Sequence, residues 1–211
     1  MTQFLVLVLL LLCAGLLVAA YRGHKSKEEE EKREGDGSDM RNLSTPSIAD
    51  AKHGDAVTVI GASEDFDDLH FTVDRVSTYR RGEERWGEIS GVAKNRRIFV
   101  EWHDDDEITL LLRRADDLKL ADLGIGDENL ARFDEEESRD NHIVYDGDRY
   151  DYSFSGEVLY SRDGAEEEGF YAWDFEGQGA MVVWVEKWAG EPFVVGVSER
   201  ILPHNVTILR K

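Results

Sequence analysis

The chain has a single cysteine, Cys13, among 211 residues, so it can form neither an internal disulfide nor a cysteine-based zinc site. Its six histidines are scattered along the chain and show no metal-ligand spacing. Ser-His-Asp, Cys-His and glycine-rich phosphate-binding patterns are also missing from the sequence. From these absences we expect a protein that is not an enzyme and that carries no cofactor.

Positive charge is scarce, because 25 Lys and Arg stand against 45 Asp and Glu, for a formal net charge of −20. Residues 54–211 hold 18 of the basic and 37 of the acidic side chains, so the acid excess belongs to the folded part. A surface this acidic repels phosphate backbones, which argues against nucleic acid as a partner. It also indicates a halophilic protein, since concentrated salt screens repulsion between like charges.

The N-terminal part of the chain contains an apolar run at residues 4–20, which is followed by Tyr21. A helix of this length spans about 26 Å, close to a bilayer core of about 30 Å. Basic side chains follow the run but do not precede it, which favours an uncleaved anchor over a signal peptide cut after Ala20. We predict a transmembrane anchor at 1–21, a charged flexible tether at 22–53, and a single-pass cell-membrane protein whose C-terminal domain faces the cytoplasm.

Short alternating apolar runs separated by turns predict that residues 54–211 form a mainly β domain. The runs fall into two groups, at about 54–115 and 142–211, joined by a connector at 116–141 that holds a short helix or an ordered loop. We expect two related antiparallel β-meander lobes that form a sandwich or partly open barrels. The Asp146-Gly147 pair predicts a tight hairpin turn between two of the strands.

The two groups of strands follow the same order, which indicates an internal repeat. Each has a strand that ends at a tyrosine, then a tryptophan-bearing strand that ends at a glycine, then a Val-Glu strand with a tryptophan close by. Aromatic rings of this kind, together with edge strands, can supply a binding surface for another protein. The candidate binding-surface residues are Trp86, Trp102, Trp173, Trp184 and Trp188.

Four glutamates also recur at equivalent places in the two groups: Glu88, Glu101, Glu176 and Glu186. Paired carboxylates can perform acid/base chemistry. The alternation along the strands instead predicts that these glutamates face solvent opposite the tryptophans, or satisfy a turn.

An acidic turn, His103-Asp104-Asp105-Asp106-Glu107, resembles a hard-cation site, because Ca²⁺ and Mg²⁺ prefer clustered carboxylate oxygens. It lacks the spacing and the glycine of an EF-hand loop, and it lies where a hairpin turn is expected. We therefore expect a solvated turn here and no metal, with Asp104, Asp105, Asp106 and Glu107 as weak candidate ligands.

The C-terminal pattern carries a resemblance to a known family. The segments are Trp184-Val-Glu-Lys-Trp188, Glu191-Pro-Phe193, Ile201-Leu-Pro203 and Val206-Thr-Ile208. Together with the anchor, the tether and the two meanders, they resemble the prokaryotic domain-of-unknown-function family 4178 over about residues 53–210. The resemblance implies no assigned reaction. It implies proteins that are anchored in the membrane or fused to other modules, with a link to membrane stress.

Together these features favour a membrane-tethered, non-catalytic β-rich module that binds or scaffolds an unknown protein partner. The alternative is an exported acidic domain with a cleaved signal peptide and a Ca²⁺-binding loop at residues 103–107. The mature N-terminus and a calcium titration distinguish the two.

Overall fold

The structure, a computed structural model, describes residues 47–62, 67–104 and 107–211. Its first six strands are β1 (Ala56–Val59), β2 (Leu69–Thr72), β3 (Arg75–Arg81), β4 (Glu84–Ala93), β5 (Arg96–Asp104) and β6 (Ile108–Leu118). One helix, α1 (Asp127–Glu136), follows. The remaining strands are β7 (His142–Tyr145), β8 (Asp148–Arg162), β9 (Glu168–Gly177), β10 (Met181–Trp188), β11 (Phe193–Ile201) and β12 (Val206–Leu209).

Eight of the described strands close into one antiparallel barrel. Their order around the barrel is β3-β4-β5-β6-β11-β10-β9-β8, and β8 returns to β3 through pairs such as Tyr79 with Tyr160. The prediction of a mainly β fold is confirmed. The prediction of a sandwich or of partly open barrels is wrong, because each edge strand of one meander pairs with an edge strand of the other, which closes the eight strands into a single barrel.

A small three-stranded sheet, with the order β12-β1-β2, packs on the outside of the first half of the barrel. Val57 and Val59 of β1 lie in one hydrophobic cluster with Ile89 of β4 and Val100 of β5. Ile48, in a 3₁₀ turn at Ile48–Asp50, is buried in the same cluster. The last residues of the predicted tether are therefore part of this packed layer.

Helix α1 covers the outside of the second half of the barrel. Its buried residues Leu130 and Phe133 share a cluster with Phe175 of β9 and Val183 of β10. The helix begins after Gly126, whose backbone N–H donates to the Asn129 side chain at 2.9 Å. The predicted connector thus contains a helix that closes the second hydrophobic layer.

The β7–β8 hairpin adds a ninth strand to the barrel sheet, since β7 pairs with β8 alone among the described strands. Its two-residue turn has positive φ at Asp146 (51°) and at Gly147 (84°). Two positive φ angles define the type I′ turn that an Asp-Gly pair favours. The predicted hairpin turn is confirmed.

The barrel wall has two unlike faces, because successive side chains on a strand point to opposite sides. Its outer face carries the two hydrophobic clusters beneath the small sheet and beneath α1. Its inner face carries a smaller aromatic cluster around Tyr79 and Phe170, together with charged side chains. The main hydrophobic layers of this fold therefore lie outside the barrel.

Among the described residues, no helix has the length and apolar character needed to cross a membrane. The anchor predicted at 1–21 and the tether as far as residue 46 lie outside the described residues. Both remain predictions.

Candidate functional site

The inside of the barrel contains a cavity of about 450 Å³. Small-molecule sites in proteins commonly measure roughly 300–1,000 Å³. The wall combines aromatic rings, including Trp86, Phe154 and Trp184, with the carboxylates of Glu101, Asp174 and Glu186. Size and lining make this cavity the candidate functional site.

A buried ion pair forms the deepest part of the site. The Arg113 guanidinium donates to Glu88 Oε2 at 3.0 Å, and the Glu88 side chain is 5% exposed. The guanidinium of Arg113 also lies over two rings, 4.1 Å from the Phe99 centroid and 4.7 Å from that of Trp184. These contacts fix Arg113 in one position, with its charge already matched by Glu88.

Three further carboxylates line the cavity above this pair. Glu101 Oε1 lies 2.7 Å from His103 Nε2, and Glu186 accepts a hydrogen bond from Trp188 Nε1 at 2.9 Å. Asp174 has its nearest cation in Arg81, with 3.8 Å between Arg81 Nη1 and Asp174 Oδ2. The negative charge of the site is therefore concentrated on β5, β9 and β10.

Burial raises the pKa values of several acids in the site toward neutral pH. It raises the pKa of Asp174 to about 7, with the negative charge of Glu101 adding to the effect. It also raises the pKa of Glu88 to about 7, although Arg113 opposes the shift. Burial raises the pKa of Glu186 as well, against the hydrogen bond from Trp188. Near neutral pH the site can therefore take up or release protons when its surroundings change.

Aromatic rings form a continuous wall beside the charges. Trp86 stacks between Tyr79 and His103, with centroids 5.4 Å and 5.3 Å apart. The Arg81 guanidinium lies 3.7 Å from the centroid of Phe154. Both faces of Trp86 and one face of Phe154 are therefore in contact with other side chains, and the rings add apolar surface to the cavity wall.

The cavity opens at the end of the barrel where β3 turns into β4. Arg81 pairs there with Glu84 at 2.6 Å, and Arg200 pairs with Glu176 at 2.7 Å. The exposed fraction of the acidic side chains rises from 5% at Glu88 to 51% at Glu176. Asp174, between them, is surrounded by protein yet keeps 37% of its side chain accessible, because it faces the cavity.

A second cavity, of about 580 Å³, lies beside the β7–β8 hairpin. It shares Arg139, Ser153 and Glu176 with the first cavity. Its own ion pair, Arg149 with Asp151, is more than half exposed on both sides. The barrel interior therefore remains the better candidate, because charged groups are held there away from bulk water.

The five tryptophans that were predicted to form a binding surface lie on two different sides of the barrel wall. Trp86, Trp184 and Trp188 lie inside the barrel. Trp102 and Trp173 are each 8% exposed and belong to the outer hydrophobic clusters. Three of the five thus come together at the candidate site, and a role for any of them in protein binding remains a prediction.

The glutamates occupy different positions from those predicted. Glu88, Glu101 and Glu186 face the inside of the barrel, so the expectation that they face solvent is wrong for these three. Glu176 is half exposed at the mouth. The reason is that the small sheet and α1 cover the outer face of the wall, which leaves the inside as its polar side.

The sequence analysis missed three residues of the site: Asp174, Arg113 and Arg81. Each of them stands at an inward position of an alternating strand.

The acidic turn after β5 is only partly described. Asp104 and Glu107 are exposed, and Asp105 and Asp106 lie outside the described residues. In the part of the chain that the structure describes, no three His, Cys, Asp or Glu side chains are placed to share a metal ion. Metal binding at this turn remains a weak prediction.

Comparison with known proteins gives one result. No curated protein and no solved structure matches the chain. The sequence profile of a family described as Domain of unknown function (DUF4178) matches residues 60–203, which include all eight barrel strands. The matched region covers more than half of the chain, and its boundaries agree with the resemblance found in the sequence. The chain therefore belongs to the DUF4178 family.

Proposed function

We propose that this chain is a membrane-tethered, non-catalytic binding module that holds a small polar ligand inside its barrel. The observation that supports the proposal is a ligand-sized cavity whose wall carries charged side chains. Apolar side chains of similar volume would stabilise the interior as well as or better than Glu88 with Arg113 does. Buried charges with shifted pKa values in a cavity are typical of recognition sites.

The test uses the full chain in detergent and a panel of small molecules balanced between cations, anions and neutral compounds. Binding is read from the melting temperature and from tryptophan fluorescence, since Trp86 and Trp184 line the cavity. The Thr109→Trp variant places a large ring at an exposed position of the cavity wall and should abolish binding. Thr72→Trp, at an exposed position on β2 outside the barrel, is the matched control and should bind as the unmodified chain does.

If no member of the panel raises the melting temperature, the proposal of a ligand-binding barrel fails. If Thr109→Trp binds as well as Thr72→Trp, the ligand sits elsewhere on the molecule. Either result leaves the fold intact and removes the function assigned to its interior.

Catalysis is tested on the same samples, because a pKa near 7 also suits a general acid or base. The ligand is incubated with the chain and recovered for mass spectrometry. A non-catalytic module returns it unchanged. A product that forms with the unmodified chain and not with Thr109→Trp would make the protein an enzyme.

The tether is proposed from the apolar run at 4–20 and the basic side chains after it. A C-terminally tagged copy should pellet with membranes and resist protease in intact cells until lysis. Cleavage of the tag from outside, or its release into the medium, would instead support the exported alternative. In that case a calcium titration of the turn at 103–107 becomes the next experiment.

A protein partner near the membrane completes the proposal, since a tethered binding module needs something to act on. Pull-down from a detergent extract in concentrated KCl should recover one protein in stoichiometric amount. Recovery that changes when the barrel ligand is added would connect the partner to the cavity.

A further inference from the structure

We propose that the ligand of the barrel is a small organic cation, whose ammonium or guanidinium group is held by Asp174, Glu186 and Glu101 against the aromatic wall. This inference rests on the proposed function, because it names the chemical class that the same cavity takes. It goes further by predicting which molecules the cavity rejects.

The charges of the cavity wall are unevenly paired. Three of its arginines have a glutamate: Arg113 pairs with Glu88, Arg81 with Glu84, and Arg200 with Glu176. Among the described residues, no arginine lies within hydrogen-bond distance of Glu101, Asp174 or Glu186, and Glu101 is paired with His103. The charge of Glu101 raises the pKa of both Asp174 and Glu186, and the charge of Glu186 raises the pKa of Asp174, which places the three acids within one negative field.

The Asp174 carboxylate also indicates a cation. Among the described residues, Asp174 accepts no side-chain hydrogen bond, and its ion-pair contact with Arg81 spans 3.8 Å. The side chain faces into the cavity and keeps 37% of its surface accessible there. This carboxylate can accept a charge-assisted hydrogen bond from a ligand N–H group.

Anions are poorer candidates for the interior of the barrel. A phosphate or carboxylate ligand there would need Arg81 or Arg113 as its partner. Arg200 is paired with Glu176, and Arg139 is exposed in the wall that the two cavities share. Arg113 is held by Glu88 and enclosed between two rings, and Arg81 is held by Glu84 and lies over Phe154. An anion would have to displace these contacts while approaching Glu101, Asp174 and Glu186, so the cavity disfavours it.

The aromatic lining suits the apolar part of an organic ligand. Trp184 and Phe154 line the cavity together with Asp174, and Trp188 donates to Glu186. Arg113 and Arg81 already lie over the rings of Trp184 and Phe154, so the carboxylates supply the charge recognition and the rings supply apolar contact. A bare divalent ion would use neither the rings nor most of the volume.

The experiment compares three probes of nearly the same shape: benzylammonium, benzyl alcohol and benzoate. Each is titrated into the full chain in detergent at one fixed KCl concentration near pH 7, by calorimetry and tryptophan fluorescence. We expect benzylammonium to bind at least about tenfold more tightly than benzyl alcohol, and benzoate to bind least, because the carboxylates of the cavity attract the first probe and repel the last.

Two variants that change the net charge equally separate the cavity from the acidic surface. Asp174→Asn removes the carboxylate inside the barrel and should weaken benzylammonium binding by about tenfold. Asp117→Asn removes an exposed carboxylate on β6 and should leave the affinity unchanged. Because Arg81 keeps its closer ion pair with Glu84 when the Asp174 carboxylate is removed, the first variant is expected to keep its fold, and its melting curve checks this.

Each result decides the inference. Preference for benzylammonium that Asp174→Asn loses and Asp117→Asn keeps establishes a cation site. Equal or tighter binding of benzyl alcohol or benzoate overturns the inference while leaving a ligand-binding barrel in place. Benzylammonium binding that survives in Asp174→Asn shows that the Asp174 carboxylate does not hold the cation, which also overturns the inference. If none of the three probes binds, the cation site is rejected, and the wider panel then decides the proposed function separately.

Discussion

The two faces of the barrel wall have opposite chemistry, although the same strands build both. On the outside, Val183, Val185 and Val195 are fully buried beneath α1 and its neighbours. On the inside, Glu88 and Arg113 form an ion pair among aromatic rings. The difference shows that the main hydrophobic layers lie outside the barrel and that charged side chains occupy its interior.

On both faces, a tryptophan ring packs over a glycine of the neighbouring strand. Trp102 lies over Gly87 on the outside, where a Cβ at Gly87 would stand 2.1 Å from the ring. Trp184 lies over Gly196 on the inside, where a Cβ at Gly196 would stand 2.2 Å from the ring. On one face the ring belongs to a hydrophobic layer, and on the other it covers Arg113 and borders the cavity.

The largest expected effect compares one phenylalanine from each face. Phe133→Ala removes a buried ring of α1 from the outer layer and should lower the free energy of unfolding by about 4 kcal/mol. Phe154→Ala removes a partly exposed ring from the cavity wall and should cost about 1 kcal/mol, because its space already opens to solvent. Denaturant unfolding of the full chain in detergent measures both values. Equal losses would mean that the interior contributes to stability as much as the outer layers do.

A somewhat smaller effect is expected from breaking the buried ion pair on one side only. Arg113→Met keeps the apolar contacts with Phe99 and Trp184 but leaves the Glu88 carboxylate without its cation. At pH 8 this should cost about 3 kcal/mol, and less at pH 6, where Glu88 takes up a proton.

The double variant Arg113→Met with Glu88→Leu is the control for this prediction. Removing both charges should restore most of the lost stability, since apolar side chains then replace the whole pair. A double variant as unstable as the single one would show that the loss comes from packing around Arg113 and not from the unpaired acid.

The third prediction concerns pH. Glu88 and Asp174 have ordinary pKa values of 4.5 and 3.8, which the fold raises to about 7. At pH values between the ordinary and the raised pKa, the folded protein holds protons that the unfolded chain releases. The free energy of unfolding therefore falls as the pH rises toward 7 and levels off above pH 7. We expect a decline of about 2 kcal/mol between pH 5 and 8, mostly from Glu88, because solvent in the cavity screens Asp174.

Urea unfolding at a series of pH values checks this slope, with Glu88→Gln as the comparison. The variant cannot hold the extra proton, so its decline should be shallower. A stability that rises between pH 5 and 7 would contradict the sign of the shift. Acids with lowered pKa values, such as Asp74 and Asp163, do not interfere, because they stay ionised throughout this range.

The smallest expected effect separates the charges of the surface from those of the interior. Molar KCl should raise the melting temperature by a few degrees, because salt screens repulsion among the exposed acids. The same rise is expected for Glu88→Gln, since salt has little influence on a buried group. A chain that gains no stability in molar salt would remove the halophilic interpretation of its composition.

The strands could be predicted from the sequence because their information is local. Alternation marked β8 and β10, and the Asp146-Gly147 pair marked the β7–β8 turn. Closure of the barrel could not be predicted, because it depends on contacts between distant residues such as Tyr79 and Tyr160. Neither meander shows in its own sequence which edge its partner will occupy.

The candidate site was missed for a related reason. Alternation predicts that a strand has two faces, but it does not tell which face is covered by the rest of the chain. Glu88, Glu101 and Glu186 were taken for solvent-facing residues because the polar face of a strand is usually exposed. Only the positions of the small sheet and α1 show that the polar face turns inward and encloses a cavity.

A crystal structure of the full chain with benzylammonium tests most directly whether the barrel is a binding site for a cation. We predict density for the probe inside the barrel. Its nitrogen should lie within hydrogen-bond distance of the Asp174 carboxylate, and its ring should lie against the aromatic wall. A barrel interior filled by its own side chains, or a probe found only on the acidic outer surface, would contradict it.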